Sequence, residues 1–166
     1  MTLVLVGPMG AGKSTVAALL AEADGVSARD SDADIEAAEG RSISDIFVES
    51  GEAHFRELER AAVVAALADH DGVLSLGGGA VLDEETRRLL TGPDHTVVFL
   101  RVGLAEAVKR VGLGTSRPLL LGNVRSRIKA LLDERTPIYE SVADLVVDTD
   151  QRSPQDVADE IRKALA

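Results

Sequence analysis

Cysteine is absent from this chain of 166 residues, and aromatic residues make up only 2% of it. Without cysteine there are no disulfide bonds and no thiolate metal sites, which is compatible with a reducing compartment. Because aromatic side chains are so few, the 45% of residues that are hydrophobic must build an aliphatic core. At this length we expect a single domain that spans residues 1–166.

Positive charge is also scarce. The chain has 18 lysines and arginines against 28 acidic residues, which gives a formal net charge of −10. Nucleic acids and membrane surfaces are anionic, so we expect neither as a partner. No apolar run approaches the roughly 18 residues of a membrane span. Met1 leads directly into an apolar run without the basic start of a signal peptide, so we expect a cytoplasmic protein.

A glycine-rich stretch near the amino terminus matches G-x-x-x-x-G-K-[ST], the phosphate-binding P-loop. Apolar residues at Thr2–Val6 predict a buried strand before it, and Ser14–Ala23 predicts a helix after it. Backbone N–H groups of such a loop bind phosphates, the lysine reaches the β- and γ-phosphates, and the serine hydroxyl contacts Mg²⁺. We therefore predict a nucleoside-triphosphate site that includes Gly10, Ala11, Gly12, Lys13, Ser14 and Thr15.

Acidic residues follow the second predicted strand, Val26–Arg29. Asp30, Asp32 and Asp34 have the spacing that opens an EF-hand loop, but the glycine and glutamate positions of that loop hold other residues. Ligands in open α/β sheets bind at the carboxyl ends of strands, so we expect Asp30 and Asp32 to serve Mg²⁺ and an acceptor hydroxyl. A simple helix cap is the alternative.

Three further features fit either a site or ordinary structure. Arg56 lies among glutamates at i,i+3 and i,i+4 spacing, which favours an exposed helix face. Gly77-Gly78-Gly79 either let the backbone approach a ligand or form a flexible turn. Arg117 lies between Gly112 and Gly122, in a segment typical either of a lid that closes over phosphates or of a surface loop.

Strand and helix signals alternate along the chain, which predicts one doubly wound parallel α/β domain. Residues 35–69 are predicted to form two or three helices. A helix over residues 124–140 is predicted to be interrupted at 134–137, where Pro137 falls. Further strands are predicted at 73–76, 96–100 and 145–147.

In combination, these motifs resemble the shikimate kinase family. The shared motifs occur in family order and approximate spacing over nearly the whole chain: the P-loop at 7–14, Asp30-Ser31-Asp32, Phe55-Arg56, Leu76-Gly77-Gly78-Gly79-Ala80, Ser116-Arg117-Pro118-Leu119-Leu120 and Arg135-Thr136-Pro137-Ile138-Tyr139. The resemblance implies a three-layer P-loop fold like that of nucleoside monophosphate kinases, with a five-stranded parallel sheet and helices on both faces. It also implies Mg²⁺-assisted transfer of phosphate from ATP to the 3-hydroxyl of shikimate, in aromatic amino-acid biosynthesis.

Site roles also follow from the resemblance. It implies that the catalytic residues are Lys13, Asp32 and Arg117, and that Mg²⁺ contacts Ser14 and Asp30. Outside the P-loop, the ATP-binding residues are Arg110, Arg117 and Pro154. The implied shikimate-binding residues are Asp32, Arg56, Gly77, Gly78, Gly79 and Arg135. It further implies a monomer with a lid at about 112–123 and a substrate-binding helical segment at about 32–60.

Rival functions remain open at this stage. Another small-molecule kinase of the same fold, such as a gluconate or nucleotide kinase, fits the P-loop equally well. A non-catalytic nucleotide-binding module is a third possibility, although Lys13, Ser14, Asp30 and Asp32 are all present. A GTP switch is disfavoured, because the single asparagine, Asn123, is followed by Val124 and no N-K-x-D motif exists.

Overall fold

The computed structural model describes residues 2–112 and 123–166, with only the backbone given for residues 111 and 112. Within these ranges, five parallel strands form one sheet in the order β2-β3-β1-β4-β5, which confirms the predicted sheet. The bounds of the strands are β1 Thr2–Val6, β2 Ser27–Asp30, β3 Gly72–Ser75, β4 His95–Arg101 and β5 Leu145–Asp148.

Helices cover both faces of the sheet. They are α1 Lys13–Asp24, α2 Ser31–Glu39, α3 Ile43–Asp69, α4 Glu84–Leu90, α5 Leu104–Gly112, α6 Val124–Val142 and α7 Pro154–Leu165, with a 3₁₀ turn at Ala80–Leu82. None of the helices in the described ranges is long and apolar enough to cross a membrane.

The aliphatic core forms two layers, because neighbouring side chains of a strand point to opposite faces. In β1, Leu5 packs against residues of α1 and α7, whereas Val4 and Val6 pack against residues of α3 and α4. The sheet therefore separates two apolar clusters, as the three-layer prediction requires.

The helix α6 differs from the prediction. It runs without interruption through Pro137, so the predicted break at 134–137 is wrong. A proline inside a helix removes one backbone hydrogen bond and crowds the preceding turn. Here Ile128, Tyr139 and Val142 are buried on the two sides of Pro137, and their packing in the core offsets that cost.

The long helical region before β3 has the predicted division. The helix α3 is kinked at Gly51, whose backbone has φ 86° and ψ 165°. Residues that have a side chain rarely adopt this positive φ, so glycine suits the kink. The kink brings the Phe47 and Phe55 rings to 4.7 Å between centroids, and Phe55 packs with Ile35 of α2 in a small third core. This core holds α2 and the kinked helix together beside the carboxyl end of β2.

Candidate active site

The P-loop joins β1 to α1 at the carboxyl edge of the sheet. Gly12 caps the helix with φ 88°, again in the left-handed region that favours glycine. Gly7 lies so close to β4 that a β-carbon there would be 2.6 Å from the carbonyl oxygen of Leu100. The loop therefore curls tightly against the sheet and presents the amino-terminal N–H groups of α1, the arrangement that binds phosphates.

The side chain of Lys13 folds back over this loop. Its Nζ donates hydrogen bonds to the carbonyl oxygens of Gly7, at 2.8 Å, and Pro8, at 2.9 Å. Burial lowers the pKa of Lys13 to about 8, while the nearby carboxylates of Asp32 and Asp30 oppose that shift. At neutral pH the amine is thus still mostly charged, inside the cradle of the loop.

The hydroxyl of Ser14 and the carboxylate of Asp30 meet beside the P-loop. Ser14 Oγ donates to Asp30 Oδ2 at 2.6 Å. The other oxygen of Asp30 caps α2, accepting from the N–H groups of Asp32 at 2.9 Å and Ala33 at 3.1 Å. The two alternatives for these acids are therefore not exclusive, since Asp30 is the helix cap and also reaches the P-loop serine.

These oxygen atoms fit Mg²⁺. It prefers hard oxygen ligands and often uses only one or two protein side chains, together with water and substrate phosphates. In the described part of the chain there is no cluster of three or more His, Cys, Asp or Glu side chains that would hold a metal by itself. The pair Ser14 and Asp30 is thus suited to a metal that arrives with a nucleotide.

Two glycines of the loop after β3, Gly77 and Gly79, each leave room for a charged side chain, and a third charged side chain lies beside Gly78 between them. A β-carbon on Gly77 would lie 2.6 Å from Oδ1 of Asp32. On Gly79 it would lie 2.4 Å from Nη1 of Arg56, and on Gly78 it would lie 3.7 Å from Nη1 of Arg135. The glycines therefore do not form a free turn. They bring together an acid from α2, an arginine from α3 and an arginine from α6.

Two of these side chains have buried polar atoms without a partner in the described part of the chain. These atoms are Oδ1 of Asp32 and Nε of Arg135. Most buried polar atoms in proteins are hydrogen-bonded, so unpaired ones call for an explanation, and a functional role is one of them. Burial, followed by the neighbouring charge of Asp30, raises the pKa of Asp32, while Lys13 lowers it. This combination of burial and charge is typical of functional sites.

The surroundings of Arg56 contradict the exposed helix face that its spacing favours. Nη1 of Arg56 donates to Oε1 of Glu59 at 2.7 Å, and Glu59 is only 4% exposed. Burial raises the pKa of Glu59, and the hydrogen bond from Arg56 opposes this. The i,i+3 pair is thus real, but it is turned inward. Glu59 holds the guanidinium of Arg56 beside Gly79. From the sequence spacing, this pair was expected only on the exposed face of the helix.

Tyr139 is a second residue whose role the sequence did not reveal. It is fully buried in α6, one turn after Arg135, and its hydroxyl donates to the carbonyl oxygen of Gly78 at 2.6 Å. The motif around it marked Arg135, but a single tyrosine carries no sequence signal for a contact made across the fold.

Arg110 and Pro154 border a cavity of about 260 Å³ beside the P-loop. The guanidinium of Arg110 donates to the carbonyl oxygens of Gly10, at 2.9 Å, and Thr149, at 3.0 Å. This position suits the base of a nucleotide whose phosphates lie in the loop. A larger cavity, about 620 Å³, lies between α1 and the end of α7, and no predicted site residue borders it.

Arg117 and residues 113–122 of the predicted lid lie outside the described residues. Their roles, and the division of the domain into lid and substrate segments, therefore stay predictions.

A P-loop at the carboxyl edge of a five-stranded parallel sheet, with helices on both faces, places the chain in the class of P-loop proteins with the fold of the nucleoside monophosphate kinases. Within that class, the family model described as shikimate kinase matches residues 9–166, nearly the whole chain. The chain belongs to the shikimate kinase family and is an enzyme of the kinase class.

Individual relatives agree with this assignment. A shikimate kinase of Thermobifida fusca is 57% identical over 162 residues, which are 98% of this chain and 93% of the relative. A solved shikimate kinase of Acinetobacter baumannii in complex with shikimate has a TM-score of 0.93 and 35% identity, with 99% and 92% of the two chains covered. A gluconokinase of Sinorhizobium meliloti, at 19% identity and TM-score 0.60 over 99% of this chain and 90% of that one, shares only the fold.

Proposed function

We propose that this enzyme transfers the γ-phosphoryl group of ATP to the 3-hydroxyl of shikimate, giving shikimate 3-phosphate and ADP in aromatic amino-acid biosynthesis. The observation that carries the proposal is the loop Gly77–Gly79, which gathers Asp32, Arg56 and Arg135 beside the P-loop. Two positive groups and one carboxylate match an acceptor that has both a carboxylate and hydroxyls.

In this proposal Arg56 and Arg135 bind the carboxylate of shikimate. Guanidinium groups bind carboxylates through paired, charge-assisted hydrogen bonds, which also fix the orientation of the acid. Nη1 of Arg135 lies at the glycine loop, 3.7 Å from the place of a β-carbon on Gly78, where it can donate to that carboxylate. These local charges also explain how a chain with a net charge of −10 accepts an anionic substrate.

Asp32 has the acceptor-side role. Its carboxylate lies beside Gly77, where it can accept a hydrogen bond from a substrate hydroxyl and take the proton as transfer proceeds. A loose, metaphosphate-like transition state asks little of a base, so positioning the hydroxyl is the larger part of this role. The raised pKa of Asp32 improves its match to a proton acceptor at neutral pH.

On the donor side, Lys13 places positive charge at the phosphates and the cavity beside Arg110 and Pro154 accepts adenine. Ser14 and Asp30 would hold Mg²⁺, which, when bound, neutralises charge on the phosphates. Arg117 would add a further positive charge from the lid, as the family resemblance implies.

The proposal includes the setting of the enzyme. One chain supplies the P-loop, the acid site and the nucleotide cavity, so we propose that it acts as a monomer on two small molecules. ATP is its donor, and we propose that it works in the cytoplasm, where ATP is made and used. Light scattering on the purified protein tests the monomer.

An ADP-release assay tests the proposed reaction. Purified enzyme, ATP and Mg²⁺ are mixed in turn with shikimate, gluconate or AMP, and the phosphorylated product is identified by NMR. Of the three acceptors, we expect only shikimate to give rapid ADP release. The product should have the phosphate on the 3-oxygen of shikimate. The variant Lys13→Ala, purified in the same way, controls for contaminating kinases. Faster turnover of gluconate or AMP, or no acceptor-dependent turnover, would overturn the proposal.

A further inference from the structure

The hydroxyl of Tyr139 lies where the acid-binding elements meet. Tyr139 is the only tyrosine of the chain, and its side chain is fully buried. Its ring packs against Phe99 of β4, with 5.0 Å between the centroids, so the core fixes its position. Residues four apart on a helix lie on the same face, which places this ring next to Arg135. The rigid ring thus carries a polar group from the core to the edge of the site.

That hydroxyl has two neighbours. It donates to the carbonyl oxygen of Gly78 at 2.6 Å. It also lies near the guanidinium of Arg135, whose positive charge lowers the pKa of Tyr139 and so opposes the larger effect of burial, and Nη1 of Arg135 lies 3.7 Å from the place of a β-carbon on Gly78. A phenol group can donate one hydrogen bond and accept others at the same time. One oxygen atom can therefore link the glycine loop to the arginine.

We propose that Tyr139 is a positioning residue for the acceptor acid, whose hydroxyl holds the Gly78 peptide and the Arg135 guanidinium in one arrangement that binds the carboxylate. This inference rests on the proposed function, because Arg135 and the Gly78 backbone are assigned there to the acid. Peptide and guanidinium come from different elements, the loop after β3 and the helix α6. Without a link, each would have to be ordered by the ligand, and that cost would weaken binding.

The competing explanation is that the hydroxyl only satisfies a buried carbonyl and so contributes to stability alone. Thr2 offers a matched control for this explanation. Its hydroxyl also donates to a backbone carbonyl, that of His70, at 2.6 Å, and it is also buried. Thr2 begins β1, at the end of the parallel sheet opposite the site. Thr2→Val therefore removes an equivalent bond far from the acid.

The kinetic test compares Tyr139→Phe with Thr2→Val and the parent enzyme. Tyr139→Phe keeps the buried ring and loses the hydroxyl. We expect KM for shikimate to rise about tenfold, equivalent to about 1.4 kcal/mol, while KM for ATP stays within twofold. Thr2→Val should leave both KM values within twofold, although each variant lowers the melting temperature. An unchanged KM for shikimate in Tyr139→Phe, or equal changes for both substrates, would overturn the proposal.

The carboxylate itself can be tested with shikimate methyl ester as the acceptor. In the parent enzyme, kcat/KM should be much higher for shikimate than for the ester, because the ester has lost the charge. Tyr139→Phe should lower the ratio of these two kcat/KM values about tenfold, and Arg135→Ala should lower it as well. The double variant should lower the ratio little beyond Arg135→Ala, since both changes act on the same contact. Additive effects would show independent roles and overturn the link between the two residues.

A measurement on the parent enzyme remains if Tyr139→Phe does not fold. Labelling tyrosine with ¹³C at the ζ carbon gives one NMR signal, because the chain has one tyrosine. We expect saturating shikimate to shift this signal and the methyl ester to shift it less. If the chemical shift does not change on addition of shikimate, in an enzyme that phosphorylates shikimate, the positioning role is refuted while the proposed function stands. An enzyme without that activity would refute the proposed function first.

Discussion

The contact between Gly79 and Arg56 allows a steric test of the acid site. In Gly79→Ala the new β-carbon would lie 2.4 Å from Nη1, 2.6 Å from Nη2 and 2.7 Å from Cζ of Arg56. An ordinary carbon contact begins at 3.4 Å, so the guanidinium must move by about 1 Å. The backbone is not forced to move, because the atoms in the way are the far end of a flexible side chain. We therefore expect the variant to fold, with a lower melting temperature because the buried carboxylate of Glu59 loses a hydrogen bond when the guanidinium moves.

The displaced guanidinium should lose its 2.7 Å hydrogen bond to Glu59 and its alignment with the substrate carboxylate. Hydrogen bonds to charged groups are worth about 1.5–3 kcal/mol. Misplacing a group by about 1 Å in an active site can lower the reaction rate by as much as about a hundredfold. We expect KM for shikimate to rise by roughly ten- to a hundredfold. ATP binds at the P-loop and in the cavity beside Arg110, away from Arg56, so KM for ATP should change less than about threefold.

Steady-state assays with each substrate varied in turn measure this split, and a melting curve checks the fold. Gly92→Ala is a suitable control, because its β-carbon would meet only the carbonyl oxygen of Leu89, at 3.2 Å. Gly92 precedes β4, at the edge of the sheet opposite the site, so its substitution should leave both KM values unchanged. A folded Gly79→Ala enzyme whose KM for shikimate stays within twofold of the parent would show that Arg56 does not bind the acid.

Further predictions concern two charged groups of the site. Lys13→Ala should lower kcat by about 10²–10³, as expected for a lost electrostatic contact. Because the pKa of Lys13 is about 8 in the free enzyme, ATP affinity measured by titration should fall by up to about tenfold per pH unit above that value, and Lys13→Ala should lack this dependence. Asp32→Asn should lower kcat by about 10²–10⁴ if Asp32 accepts the proton and much less if it only positions the hydroxyl. Since burial raises the pKa of Asp32, its charge destabilises the free enzyme at neutral pH, so Asp32→Asn should raise the melting temperature there. That gain should disappear as the pH falls through the raised pKa towards about 3.9, and a lower melting temperature at neutral pH would contradict it.

The P-loop shows how much a local pattern can predict. Its glycines, lysine and serine lie on one short stretch of backbone, which sets their relative positions. The strand before this stretch and the helix after it are also neighbours in sequence. The predicted β1, the start of α1 and the position of Asp30 at the end of β2 are all present in the fold. The alternation of strand and helix signals likewise predicted the parallel sheet, because parallel strands need a crossover connection, which is usually a helix.

The break predicted in α6 shows where local pattern was misleading. Proline lowers helix propensity, but propensity is a weak prior when buried neighbours hold the helix on both sides. The spacing of Arg56 misled in a similar way. It correctly indicated the pair with Glu59 but could not reveal that the kink at Gly51 and the core around Phe55 turn this face inward.

The sequence by itself determined the nucleotide loop, the α/β class and, through its motifs, the family. The tertiary structure decided which side chains meet: Asp32, Arg56 and Arg135 come from three separate helices and converge on three glycines. It also decided that Tyr139 reaches the carbonyl of Gly78, 61 positions away along the chain. The physical reason is range, because propensity and capping act within a few residues. Contacts between distant residues depend on how the strands order themselves and how the helices pack upon them.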